Sequence, residues 1–278
     1  NIQIKYIYEE NKPYSFVIIL ITKETAYFGC DFMLLKNKRF TAKVVFIIIT
    51  AFVLIFSIIL ISETKTHYYV FLAYDDTECI INNVPYVTQE NVLPTGCESA
   101  CAVMVLQYNG FDIELTDFAN NYLDKKEIVY DDKGKMHNAS PYEYFIGNPN
   151  DYDSYGCYAP VIVNAVNKAV KSTDYHCENT SGESLDYLMQ KYVSNNIPVL
   201  IWVTINMREP NKGDSWYLEN GEVFVWTAGE HCMVLVGEDD SGYYLLDPYK
   251  SNGLVRHEKS VAQTRYNQMG SQSAVLLK

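Results

Sequence analysis

The sequence predicts an α+β domain with an antiparallel sheet, and three observations predict it. In the C-terminal two thirds, segments with helical period come first and strand-like segments later, in blocks and not in alternation. The later segments are rich in β-branched and aromatic residues. Two of them flank the turn string EDDSG, which reads as a hairpin. Of 278 residues, the stretch 81–278 is the size of one domain with a proper core.

Taken in order, helices are expected at residues 98–109, 115–123, 160–171, 185–195 and 259–268. In the first, Cys97, Cys101, Met104, Val105 and Tyr108 recur at helical spacing on one face, and Gly110 stops it. In the fourth, Ser184 is the expected N-cap and Asp186 suits the first turn. Strands are expected at 198–205, 222–227, 231–237, 242–247 and 274–277. Residues 125–156 are rich in Asp, Asn, Tyr, Gly and Pro, and a loop that long is usually functional or mobile.

The N-terminal part differs. Residues 44–61 read VVFIIITAFVLIFSIILI, eighteen residues without a charge, which is the length of a membrane-spanning helix. Lys36, Lys38, Arg39 and Lys43 precede it, so the N-terminus is expected inside and the rest outside. The expected organisation is a cytoplasmic segment at 1–43, a signal anchor at 44–61, a stalk at 62–80 and the globular domain at 81–278. Ile61-Ser62-Glu63-Thr64 lacks an Ala-x-Ala-like cleavage site, which favours an anchor over a cleaved signal peptide and a secreted product. The first Met is Met33, ahead of the basic run, and residues 1–32 read as an extension upstream of a natural start.

Charge narrows the partners. Residues 1–62 hold seven Lys/Arg and four Asp/Glu, so 63–278 hold 15 basic and 30 acidic residues, a balance of −15. Such a domain repels nucleic acid and anionic lipid, and neither is expected as a partner. The seven cysteines contain no C-x-x-C spacing, which argues against ribbon-type zinc and thioredoxin motifs. Cys157 and Cys177 bracket one helical segment and are the only pair named as a candidate disulfide.

The chemistry concentrates in two strings, PTGCESACAVMVLQY and, 134 residues on from Cys97, HCMVLVGEDDSGYYLLDPY. Pro94-Thr95-Gly96 places Cys97 at a helix start, where unpaired N–H groups and the dipole favour thiolate. His231 and Asp247 sit at the open ends of one hairpin, within cross-strand reach. One ring nitrogen of His231 then meets Asp247 and the other is free for Cys97, giving nucleophile, base and orienter. Gln89, eight residues before Cys97, is the expected oxyanion donor with the Cys97 backbone N–H. Glu98 reads as a helix-start residue. Alone, each of these residues is equally a buried thiol, a strand-end histidine, a turn carboxylate and a surface amide.

The strings VPYVTQ, PTGCESA, YGCYAPVI, IPVLIWVTINM, EHCMVLVGEDD and YYLLDPY together resemble the bacteriocin-leader (double-glycine) peptidase-like branch of the papain-like cysteine peptidases. The resemblance covers nearly all of 81–278. It implies a papain-like fold, a cysteine-bearing helix packed on an antiparallel sheet, and a peptide or protein substrate. By motif it implies that Cys97 is nucleophile, His231 base, Asp247 orienting acid and Gln89 oxyanion donor. The founders of that family are fused to export transporters. This chain has neither transporter segments nor a GxxxxGK[ST] motif, so leader trimming is not carried over.

The expected function is therefore hydrolysis of a peptide or amide bond through a thioester, outside the membrane, without a cofactor or metal. Three alternatives stay open. Cys97 and Cys101 with either His231 or Cys232 would ligate zinc. The same fold would serve as a non-catalytic binding module. Transfer of the acyl group to an amine would replace hydrolysis.

Overall fold

The structure is a computed structural model, and it describes residues 79–278. The expected cytoplasmic segment, the anchor at 44–61 and nearly all of the stalk lie outside the described residues. Among the described residues no helix is long and apolar enough to cross a membrane.

All five expected helices form: α1 (Cys97–Tyr108), α2 (Leu115–Asn121), α3 (Ala159–Ala169), α4 (Leu185–Lys191) and α5 (Lys259–Gln268). Ser184 caps α4 as expected, its side chain accepting from the Tyr187 N–H. That helix ends early, in a 3₁₀ turn closed by Asn196 at positive φ. Thirteen strands form among the described residues: β1 (Cys79–Ile80), β2 (Lys125–Lys126), β3 (Val129–Tyr130), β4 (Met136–His137), β5 (Phe145–Ile146), β6 (His176–Asn179), β7 (Val199–Thr204), β8 (Asn211–Tyr217), β9 (Val223–Ala228), β10 (Glu230–Glu238), β11 (Gly242–Asp247), β12 (Gly253–Glu258) and β13 (Ser273–Leu277).

The main sheet runs β12-β11-β10-β7-β13-β6, with β1 on the end of β10, and every pair is antiparallel. This is the predicted α+β architecture. Strands β10 and β7 form its centre, and β7 is buried throughout. A second sheet, β3-β4-β8-β9, and the short pair β2-β5 organise the expected long loop and its surroundings.

Helix α1 departs from the one-faced helix expected. Its first ten residues, Cys97 through Leu106, are all buried. A helix covered on every side lies inside the core, and its polar residues Glu98 and Ser99 are carried in with it. Its start is set by close packing: a Cβ on Gly96 would lie 2.6 Å from the Leu93 Cβ.

The Cys157–Cys177 disulfide does not form, and both cysteines are free, as are the others among the described residues. The cause is α3. Cys157 precedes its first turn, whereas both backbone groups of Cys177 bond to the side chain of Asn167 near its other end. Residues 159–167 rise about 12 Å along a helix axis, and a disulfide needs Cα atoms within about 7 Å.

Candidate active site

Cys97 opens α1 and is buried, with 6% of the residue exposed. The neighbouring Cys101 fixes α1 against the central strand, its thiol donating to the Cys232 carbonyl at 3.3 Å. The Cys232 backbone also lies close enough to act on the Cys97 thiol. The nucleophile candidate therefore abuts the residue that follows His231.

His231 and Asp247 meet as the hairpin predicts. Nε2 of His231 lies 2.7 Å from Oδ1 of Asp247, and each residue is 2% exposed. Asp247 also accepts from the Tyr249 N–H at 2.9 Å and from Asn252 Nδ2 at 2.7 Å. Burial pushes its pKa up, but these donors outweigh burial and the net shift is down. The backbone carbonyl of Asp247 accepts from the Tyr86 hydroxyl at 2.8 Å, and the Gln89 N–H donates to Pro248 at 3.1 Å. The segment ahead of α1 is thus tied to the end of β11.

Two of the expected site residues make contacts other than those expected. First, the Cys97 thiol donates to Glu98 Oε2 at 3.3 Å, not to His231. Its pKa is pushed well up, by burial first and then by Glu98 and Glu230, so the helix start does not favour thiolate here. Second, Gln89 is buried, and its Nε2 donates to Pro94 at 2.9 Å and to Leu93 at 3.5 Å, holding the loop before α1. Its Oε1 has no partner. The amide is spent on its own loop because the tight turn at 93–96 leaves those carbonyls outside the helix.

Glu98 and Glu230 were not read as site residues. Glu98 is fully buried, and its Oε1 accepts from the Cys157 N–H at 2.7 Å. Burial raises its pKa to about 7. Glu230, 8% exposed at the head of β10, is raised well above the carboxylate range by burial and by Glu98. A carboxylate next to the thiol and another next to the histidine were the available signal, since acids are rarely so buried without a purpose.

The segment 154–158 covers these acids. Tyr155 and Tyr158 pack on Trp226 at ring separations of 5.8 and 5.4 Å, and Trp202 Nε1 donates to the Cys157 carbonyl at 2.9 Å. A Cβ on Gly156 would lie 2.6 Å from Glu98 Oε1 and 3.3 Å from Glu230 Oε2, at a φ of +137°. Gly156→Ala is expected to cost about 2–3 kcal/mol through overpacking and backbone strain. Urea unfolding measures it, and an unchanged midpoint would mean the segment does not bear on the acids. Two surface hollows of about 440 and 290 Å³, lined by residues such as Asp151 and Tyr217, contain none of Cys97, His231 and Asp247.

A thiol-bearing helix buried against an antiparallel hairpin that carries a His–Asp pair defines a papain-like, cysteine peptidase-like α+β domain. A profile of the Peptidase_C39 like family matches residues 81–274, and the chain belongs to that family. The uncharacterized protein YvpB of Bacillus subtilis (strain 168) is 27% identical over 187 residues, 67% of this chain and 70% of its own. The crystal structure of a putative C39-like peptidase from Bacillus anthracis is 28% identical with a TM-score of 0.64, covering 73% of this chain and 98% of that one.

Proposed function

We propose that this domain is a cysteine hydrolase that cleaves a peptide or amide bond in a peptide or protein substrate through a thioester. The observation that carries the reading is the buried 2.7 Å contact of His231 with Asp247, on the strand whose next residue, Cys232, accepts from the Cys101 thiol of the helix that Cys97 opens. In this reading Cys97 attacks the carbonyl as its proton passes to His231. Asp247 orients the imidazole and stabilises imidazolium. The imidazolium protonates the leaving amine, and the imidazole then activates water. Gln89 acts as oxyanion donor once Nε2 turns from Pro94 to the substrate. Substrate binding has to draw Cys97 from Glu98 towards His231.

The Cys97–Glu98 hydrogen bond favours the second reading, a peptide-binding module without turnover. Alkylation of Cys97, followed by peptide mass spectrometry in protein treated with a chelator, separates the two. The hydrolase reading expects Cys97 to label faster than Cys101 and Cys232, and to slow at least tenfold in His231→Ala. Equal rates, indifferent to His231, would leave the binding module. Acyl transfer instead of hydrolysis is read by product mass with and without added amine.

The domain is further proposed to lie outside the cell membrane, tethered by residues 44–61; a secreted form is the alternative. The apolar run and the basic residues before it support this. Protease added to intact cells is expected to remove the domain, and alkaline carbonate to leave it in the membrane pellet. Protection from protease in intact cells would overturn the topology.

A further inference from the structure

We propose that Cys97, Glu98 and Glu230 form a site for a thiophilic divalent cation, with zinc(II) as the class, whose binding takes the thiol out of reaction. The silencing rests on the reading of Cys97 as nucleophile; the cation site itself does not.

One ligand atom from each residue lies within 4.8 Å of the other two, and all three residues are buried. Tetrahedral zinc with sulfur and oxygen ligands holds them about 3.3–3.7 Å apart. The sulfur and Glu98 Oε2 already stand at 3.3 Å, and Glu230 has to close in from within 4.8 Å. Glu98 is pre-aimed, because its Oε1 is occupied by the Cys157 N–H and Oε2 is left facing the thiol.

Glu230 supplies an independent observation. Only 8% of the residue is exposed, yet its Oε1 has no hydrogen-bond partner. A buried carboxylate oxygen without a donor is expensive, and a cation is one group that satisfies it. Among the described residues, neither carboxylate is ion-paired with a Lys, Arg or His. Burial therefore disfavours the charged forms of all three groups, and a divalent cation offsets two of the three charges. Three protein ligands leave the fourth tetrahedral position for a water.

This ligand set differs from the zinc arrangement weighed from the sequence, because the Cys101 thiol is turned to the Cys232 carbonyl. Binding exchanges the Cys97 S–H bond for a metal–sulfur bond, and the thiol proton leaves to solvent, as does any proton on the two carboxyls. No electron is transferred.

The test uses the full chain, reduced and stripped of metal by a chelator. Zinc(II) is titrated against a chromophoric chelator, and cobalt(II) is used as the spectroscopic probe. One equivalent of zinc is expected, with a thiolate-to-cobalt charge-transfer band. Glu230→Gln should weaken zinc roughly 10-fold or more, and Cys97→Ala should abolish the band. Zinc should block alkylation of Cys97, and chelator should restore it. No uptake, or uptake and spectrum unchanged in both variants, overturns the site. If circular dichroism shows Glu230→Gln unfolded, Cys97→Ala decides alone. Alkylation in chelator-treated protein tests the nucleophile separately. A cobalt band without His231-dependent alkylation retains the cation site and removes the hydrolase reading. His231-dependent alkylation without a band does the reverse.

Discussion

Cys97→Ala is expected to lower turnover by roughly a million-fold while leaving the fold intact. Removing the nucleophile of a Cys–His or Ser–His unit costs about as much as removing the whole unit, because the members act together. The fold should survive because alanine is a good helix former and the small void at the first turn of α1 costs only about 1 kcal/mol. The measurement is cleavage of a peptide library read by mass spectrometry, with circular dichroism as the fold control. Cleavage that persists within tenfold of wild type would move the chemistry away from this thiol. Cys101→Ala is the informative companion: its thiol is turned into the α1–β10 contact, and turnover should fall no more than stability does.

Asp247→Ala is expected to have the largest effect on stability. Three donors meet this carboxylate: His231 Nε2, the Tyr249 N–H and Asn252 Nδ2. Deleting it orphans them in a site 2% exposed, which should cost about 3–5 kcal/mol. The effect depends on pH with a definite sign. The folded carboxyl has a pKa below the ordinary 3.8, so the folded state binds fewer protons than the unfolded state in that range. Its contribution is therefore present above 3.8 and is lost as pH falls through the depressed folded value. Urea midpoints should differ widely between wild type and Asp247→Ala at pH ~7 and converge in strong acid. A gap that did not narrow would mean that shape, not charge, holds the hairpin end. Asp247→Asn keeps the shape but points an amide N–H at a donor, and about 10⁴-fold of turnover should go with the histidine tautomer.

The two sets of carboxylates in this site obey opposite logic. Asp247 is buried among donors and stays charged. Glu98 and Glu230 are buried beside each other and a thiol, and burial drives them towards their neutral forms. That contrast fits the roles proposed for them, Asp247 as the partner of His231 and the Glu98–Glu230 pair as cation ligands.

Much of this was legible from local pattern. Pro-Thr-Gly before Cys97 stops a helix from running backward, so α1 begins where the thiol is. EDDSG between two apolar strands closes a hairpin, so His231 and Asp247 must meet. These are short-range consequences of period and turn chemistry, and they carried the fold class and the His–Asp pair. Strands β6 (HCEN), β8 (NKGDSWY) and β12 (GLVRHE) were missed because they are polar or mixed, and distant partners make them strands.

The remaining decisions belong to the tertiary structure. Whether Glu98 faces water or a thiol depends on α1 being covered on every side. What the Gln89 amide touches depends on where the turn at 93–96 places the Leu93 and Pro94 carbonyls. Whether Cys157 and Cys177 can bond depends on the length of α3 between them. The sequence by itself determined which residues open each helix and hairpin, because those signals act over a few positions. Only tertiary packing decided which polar groups are buried and what they touch, because burial is set by elements far apart in the chain.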